Sequence, residues 1–114
     1  MKIYIAGKVT GLNWQNARAK FAVTEQKLID AGLNRNQIVN PLELGIPPET
    51  DWHEAMQLCL KNLRQCTAIF IQKDWRDSFG ARREITLAHE LRLDLYYDEQ
   101  NDIETLKNLI NAGV

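Results

Sequence analysis

The sequence predicts an α/β fold in which a small, doubly wound parallel sheet of about four strands carries helices on both faces. Three observations lead there. Short apolar, β-rich runs alternate with longer stretches of helical periodicity, in the order β-α-β-α-β-α-β-α. Every connection is long enough for a right-handed crossover, which gives parallel strands. The run Thr67-Ala68-Ile69-Phe70-Ile71 is apolar almost throughout, as strands buried on both faces are. With 114 residues the chain is one domain, residues 1–114, because two would leave neither half an adequate core.

Residues 2–6 form the first strand, stopped by Gly7. Residues 13–32 form a helix, with Trp14, Ala17, Phe21, Leu28 and Ala31 at helical spacing and Gly32 as its terminator. Gln37-Ile38-Val39 is a second strand, cut short by Asn40-Pro41 because proline cannot donate to a sheet ladder. Residues 40–50 hold all three prolines and read as a constrained loop, a candidate wall or lid of a site. A second helix starts at Asp51 as N-cap, with Glu54 as capping-box partner, and buries Trp52, Met56, Cys59, Leu60 and Leu63. Residues 67–71 are the third strand, residues 80–92 the third helix and residues 93–97 the fourth strand. Asp102 to Asn111 form the last helix, with Ile103, Leu106 and Ile110 on its apolar face. Such sheets, of the flavodoxin-like kind, bind ligands beyond the carboxyl ends of their strands, where strand order switches. The loops Gly7–Gly11 and Asp74–Gly80 both fall at that edge.

Composition narrows the function. Hydrophobic residues make up 45%, charged residues 25%, and the net charge is −1. That balance excludes general nucleic-acid binding, which shows as a basic surface. No apolar run approaches the ~18 residues of a membrane span, and the N-terminus is too short and interrupted for a signal peptide. A cytoplasmic protein is expected. Cys59 and Cys66 lie seven residues apart, about 10 Å along a helix, beyond disulfide reach. They read as reduced, buried thiols. The acidic stretch 94–104 reads as a solvated face, while Lys73, Arg76, Arg82 and Arg83 form a basic cluster near Glu84. Those cations suit an anionic ligand or, more commonly, a solvated helix surface.

Glu84 stands out. With each helical residue advancing about 100°, Leu91, Ala88, Ala81 and Leu87 fall within roughly 60° of it. It occupies the apolar stripe that a helix buries. A buried carboxylate is costly unless paired, hydrogen-bonded or protonated, which marks it for chemistry. A glutamate in the first turns is also favoured by the helix dipole and can simply cap an amide. Tyr4, in a central strand, needs a polar partner for its hydroxyl, and a carboxylate at the same edge can supply one. Gly7-Lys8-Val9-Thr10-Gly11 lacks the spacing of a nucleotide-binding P-loop. Its free amides can still hold an anion, with Lys8 adding charge, or its glycines merely permit a tight turn. His53 and His89 read as exposed, and no metal site or cofactor site emerges.

Tyr4-Ile5-Ala6-Gly7 with Thr10-Gly11, Asn40-Pro41, Trp52, Met56, Trp75 and Ser78-x-Gly80-Ala81-x-x-Glu84 resemble the small nucleoside 2-deoxyribosyltransferase-like proteins of bacteria and phages. The similarity runs from Met1 to about Tyr97. It implies that Glu84 attacks the anomeric carbon of a (deoxy)nucleoside or its 5′-monophosphate, that Tyr4 orients the carboxylate, and that water or a second base resolves the glycosyl ester. It implies that Gly7, Lys8, Gly11, Asn40, Trp75, Ser78 and Gly80 surround the substrate, and that the chain forms a homodimer. This chain departs from the family in three places. Lys8 replaces a proline, and Cys59 and Thr67 stand where aspartates are usual. The aspartate at the Cys59 position positions substrate or protonates the leaving base. Two expectations follow: an N-glycosidase or deoxyribosyltransferase, or a nucleotide-binding module that keeps the pocket without turnover.

Overall fold

The alternation is realised as β1 (Ile3–Ala6), α1 (Trp14–Asp30), β2 (Ile38–Val39), α2 (Trp52–Leu63), β3 (Ala68–Ile71), α3 (Phe79–Glu90), β4 (Asp94–Tyr97) and α4 (Asp102–Asn111). The structure is a computed structural model, and it describes residues 1–113. All four strands are parallel, in the order β2-β1-β3-β4. Ile3 aligns with Ile38 on one side and Ala68 on the other, and Ala6 aligns with Ile71. This is the order of a doubly wound sheet, and its direction of travel reverses between β1 and β3.

The continuous apolar runs have a simple cause. Strand side chains alternate between faces, and here both faces are covered. Ile3 and Ile5 pack with Phe21, Leu28, Phe70 and Leu106, on the face of α1 and α4. Tyr4 and Ala6 point the other way, into a second core with Leu63, Ile69, Ile71 and Ile85 beneath α2 and α3. All four residues of β1 are fully excluded from solvent.

Local chemistry sets the helix starts. The Asn13 side chain accepts the Gln15 and Asn16 amides, Asp51 accepts those of His53 and Glu54, and the Ser78 hydroxyl accepts that of Ala81. Each satisfies donors that the first helical turn leaves free. After α1 the chain turns through Gly32 at φ +120°.

The differences from expectation are confined to element ends. Gln37 closes a 3-10 turn (Arg35–Gln37), and its side-chain amide reaches the Met1 carbonyl, so β2 keeps two residues. Cys66 lies past the end of α2 in the turn into β3, where its amide donates to Leu63 O at 3.0 Å. The two cysteines therefore do not share a helix, and both thiols are free. Among the described residues, no helix is long and apolar enough to cross a membrane.

Burial predicts the cost of a hole in the sheet. Phe70→Ala, at a side chain with 0% exposure, should lower unfolding stability by about 3–5 kcal/mol in urea titrations. Val23→Ala, on the exposed side of α1, should stay within ~0.5 kcal/mol.

Candidate functional site

At the carboxyl edge of the sheet, the chains leaving β1 and β3 diverge. Between them and the helices lies a cavity of about 440 Å³, within the range of small-molecule sites. Gly7, Val9 and Gly11 line it from the segment after β1, and Ser78, Gly80 and Glu84 from the start of α3. Trp52, Met56 and Cys59 of α2 form another side, and the proline segment contributes Pro41, Ile46, Pro47 and Pro48. The constrained loop thus forms a wall.

Glu84 faces this cavity but is only 6% exposed. The Tyr4 hydroxyl, fully buried beneath it, donates a hydrogen bond to the Glu84 carboxyl oxygen Oε2. The helical stripe that buries Ala81, Ile85 and Ala88 also carries Glu84 inward. The alternation of β1 aims Tyr4 at the same face. Burial pushes the Glu84 carboxyl from its ordinary value near 4.5 up to about 8, and the Tyr4 hydrogen bond works in the opposite direction. Burial and the neighbouring carboxylate raise the Tyr4 hydroxyl well above its usual range. Burial, with the charge of Glu84, pushes the Cys59 thiol up to about 11. At neutral pH the site therefore holds tightly bound protons on Tyr4 and Cys59, and in most molecules one on Glu84 as well. Its carboxyl group is poised to change state.

Two close approaches shape the site. A Cβ on Gly7 would stand 2.3 Å from Gln72 Nε2, so residue 7 has no room for a side chain. A Cβ on Gly80 would come within 3.4 Å of Met56 Sδ, because α3 and α2 pack tightly there. Gln72 is itself buried. Its Oε1 accepts the Thr24 hydroxyl at 2.9 Å, while its Nε2 has no hydrogen-bond partner within the protein.

The expected site residues divide into two groups. Glu84, Gly7, Gly11, Ser78 and Gly80 line the cavity, and Tyr4 supports it from below. Lys8, Asn40 and Trp75 do not line it. The Lys8 amide donates to Asp74 Oδ1 at 3.1 Å, and its carbonyl accepts Lys20 Nζ at 2.7 Å. Lys20 also pairs with Asp74 Oδ2 at 2.6 Å. Lys8 thus joins, through its backbone, a cross-link between the two edge loops. Asn40 is buried and uses its side chain to accept the Leu42 amide, fixing the turn Pro41–Glu43. Trp75 packs between the tilted Tyr97 ring and the Arg76 guanidinium, and its indole N–H donates to Glu99 at 3.2 Å.

Sequence reasoning missed Gln72, Lys20 and Asp74, whose roles depend on contacts between distant segments. It placed Cys59 on a buried helix face, at a position that the resemblance puts beside the substrate, and Cys59 does line the cavity. Lys73, Arg76, Arg82 and Arg83 are exposed, and none of them lines the cavity. Arg76 is held by Glu99 through two bonds of 2.6 and 2.8 Å. Among the described residues, no group of three or more His, Cys, Asp or Glu side chains is placed to hold a metal ion.

The chain belongs to the family described as Domain of unknown function (DUF4406), whose model matches residues 1–97. The matched span ends with the last residue of β4 and includes every residue lining the cavity. No curated protein and no solved structure matches the chain.

Glu84 links this site to stability. Its folded pKa lies above the ordinary value, so the folded state binds the proton more tightly than the unfolded chain. The resulting stabilisation is complete below about 4.5 and is lost as pH rises through about 8. Urea midpoints of the wild type should fall across this window. Glu84→Gln should remove that part of the slope and exceed the wild type in stability at pH 8. Tyr4→Phe, which removes the opposing hydrogen bond, should raise the Glu84 pKa further, as read by carboxyl ¹³C NMR titration.

Proposed function

We propose that the chain binds a nucleoside or nucleotide in this cavity and cleaves or transfers at its N-glycosidic bond, with Glu84 as nucleophile. The observation that carries this reading is the Tyr4–Glu84 pair beneath an open cavity at the β1/β3 edge. A carboxylate held in one orientation by a buried hydroxyl, in largely apolar surroundings, has the properties of a glycosyl-accepting nucleophile. The indoles of Trp14 and Trp52 offer apolar faces for a planar base. The residue pattern resembling the deoxyribosyltransferase-like proteins supports the same chemistry.

In this mechanism the ionised Glu84 attacks the anomeric carbon as the C1′–N bond breaks. Tyr4 keeps the attacking oxygen aligned and donates to the carboxyl throughout. Water, or a second base, then displaces Glu84 from the ester and restores the free carboxylate. Self-association belongs to the same proposal. Phe79, 64% exposed, packs on Trp52 at the edge of the cavity and leaves an aromatic surface for a second copy.

A second reading, a binding module without turnover, is favoured by one feature. Cys59 contributes a thiol to the cavity wall where a carboxylic acid would be the efficient proton donor. On that reading a nucleotide raises the melting temperature while no base is released.

Chromatographic assay of base release from a panel of nucleosides and 5′-monophosphates tests the proposal. The wild type should release base and Glu84→Ala should release none. Tyr4→Phe should lower the rate by about 10²-fold, as expected when a reacting group loses its alignment. Absence of release at high protein concentration overturns the catalytic reading, and binding without release establishes the second.

A further inference from the structure

Cleavage of a neutral nucleoside has two requirements: a nucleophile at C1′ and a proton for the departing base. The cavity provides the first and is poor in the second. Glu84 and Cys59 are the ionisable side chains among its lining residues, and no Asp, His, Lys or Arg joins them. The Cys59 thiol, pushed up to about 11, is a weak acid at neutral pH. The Tyr4 hydroxyl is raised well above its usual range and already donates its proton to Glu84. The remaining walls are mostly apolar, with two indoles, and Glu84 is the one carboxyl group facing the interior.

From these observations we infer that the substrates are nucleosides whose base is already a quaternised cation, such as N7-alkylated purine or N-ribosyl pyridinium compounds. The inference rests on the N-glycosidic reading above and names its substrate class. Such a base needs no proton to leave. A Glu84 oxygen forms the bond to C1′, and the C1′–N bond breaks. Its electron pair returns to the ring nitrogen, cancels the positive charge, and the base departs neutral. Water then attacks C1′, the bond to Glu84 breaks with its electrons returning to the carboxylate, and the surplus proton passes to solvent. The sum is cationic nucleoside plus water giving free sugar, neutral base and one proton.

Recognition follows from the same groups. Aromatic faces attract a cation through their ring quadrupoles, and an anionic carboxylate in an apolar cavity attracts it further. A cation bound there also favours the ionised form of Glu84, the form that attacks. A neutral base offers neither gain and leaves without assistance.

The experiment compares base release by the full chain from N7-methylguanosine and nicotinamide riboside with release from guanosine and uridine. Each rate is corrected for the uncatalysed reaction. A missing general acid should leave the neutral substrates slower by about 10²–10⁴-fold, the usual worth of that group. Cys59→Asp, which introduces an acid at the wall, should raise neutral-substrate cleavage and contract the ratio. Calorimetry supplies a second readout: wild type should bind the cationic nucleosides at least about tenfold more tightly than guanosine, and Glu84→Gln should abolish that preference. Release from N7-methylguanosine alone assigns the purine source, and release from nicotinamide riboside alone the pyridinium source. Equal cleavage of neutral and cationic substrates overturns this inference while leaving the N-glycosidic reading intact. No release from any of the four overturns this inference, and no release across the wider panel of nucleosides and 5′-monophosphates overturns both.

Discussion

The hydrogen bond from the Tyr4 hydroxyl to the Glu84 carboxyl joins the central strand to α3, and each partner would be an unpaired polar group without the other. Tyr4 is fully buried and Glu84 nearly so. A polar group stranded in the interior costs roughly 1–3 kcal/mol, and more when charged. The pair therefore constrains both elements. β1 must present its second residue to the α2/α3 face, and α3 must be rotated so that its sixth residue points at the sheet. A different rotation of α3 would remove Ala81, Ile85 and Ala88 from the core as well. The position of the carboxylate is thus fixed by the same packing that stabilises the domain.

Strand order then turns this pair into a site. β1 and β3 are neighbours in the sheet, but the segments that follow them lead to helices on opposite faces. The gap this leaves is bridged on the α1 side. Asp74 receives the Lys8 amide and pairs with Lys20, and the Gln72 side chain fills the space against Gly7. On the other side the gap stays open, bounded by α2 and the proline segment. The glycine at position 7 is accordingly a packing requirement, imposed by the Gln72 amide.

Much of this was legible in the sequence because it rests on local periodicity. The alternation of apolar runs gives the parallel sheet. The 100° step along α3 places Glu84 on the buried face, and Asn13, Asp51 and Ser78 are recognisable caps. The proline-rich segment could be read as a wall from its restricted backbone. Lys8, Asn40 and Trp75 show where such reading ends. Each is a polar or aromatic residue near the carboxyl edge of the sheet, yet each makes a hydrogen bond that fixes a loop, Lys8 through its backbone amide. For Lys8 and Trp75 nothing in the spacing reveals that use, which depends on partners 66 and 24 residues away, whereas the Asn40 turn closes on a residue two positions on. Gln72 and Asp74 escaped notice for the same reason.

Cys59 gives the site its individual character. A thiol and an aspartate are similar in size, but they differ in what burial does to them. Burial makes the thiol a reluctant donor, with its proton held to about 11. A carboxyl in the same surroundings is raised toward neutrality, as Glu84 is, and there it transfers protons readily. With one carboxyl group on the wall, the cavity has a single group able to change charge near pH 7. That group cannot act as nucleophile and proton donor in the same step, because attack requires the ionised form and donation the protonated one. On the proposed reading the chemistry of the site is thereby divided: the protein supplies the nucleophile, and the leaving group must bring its own readiness to depart.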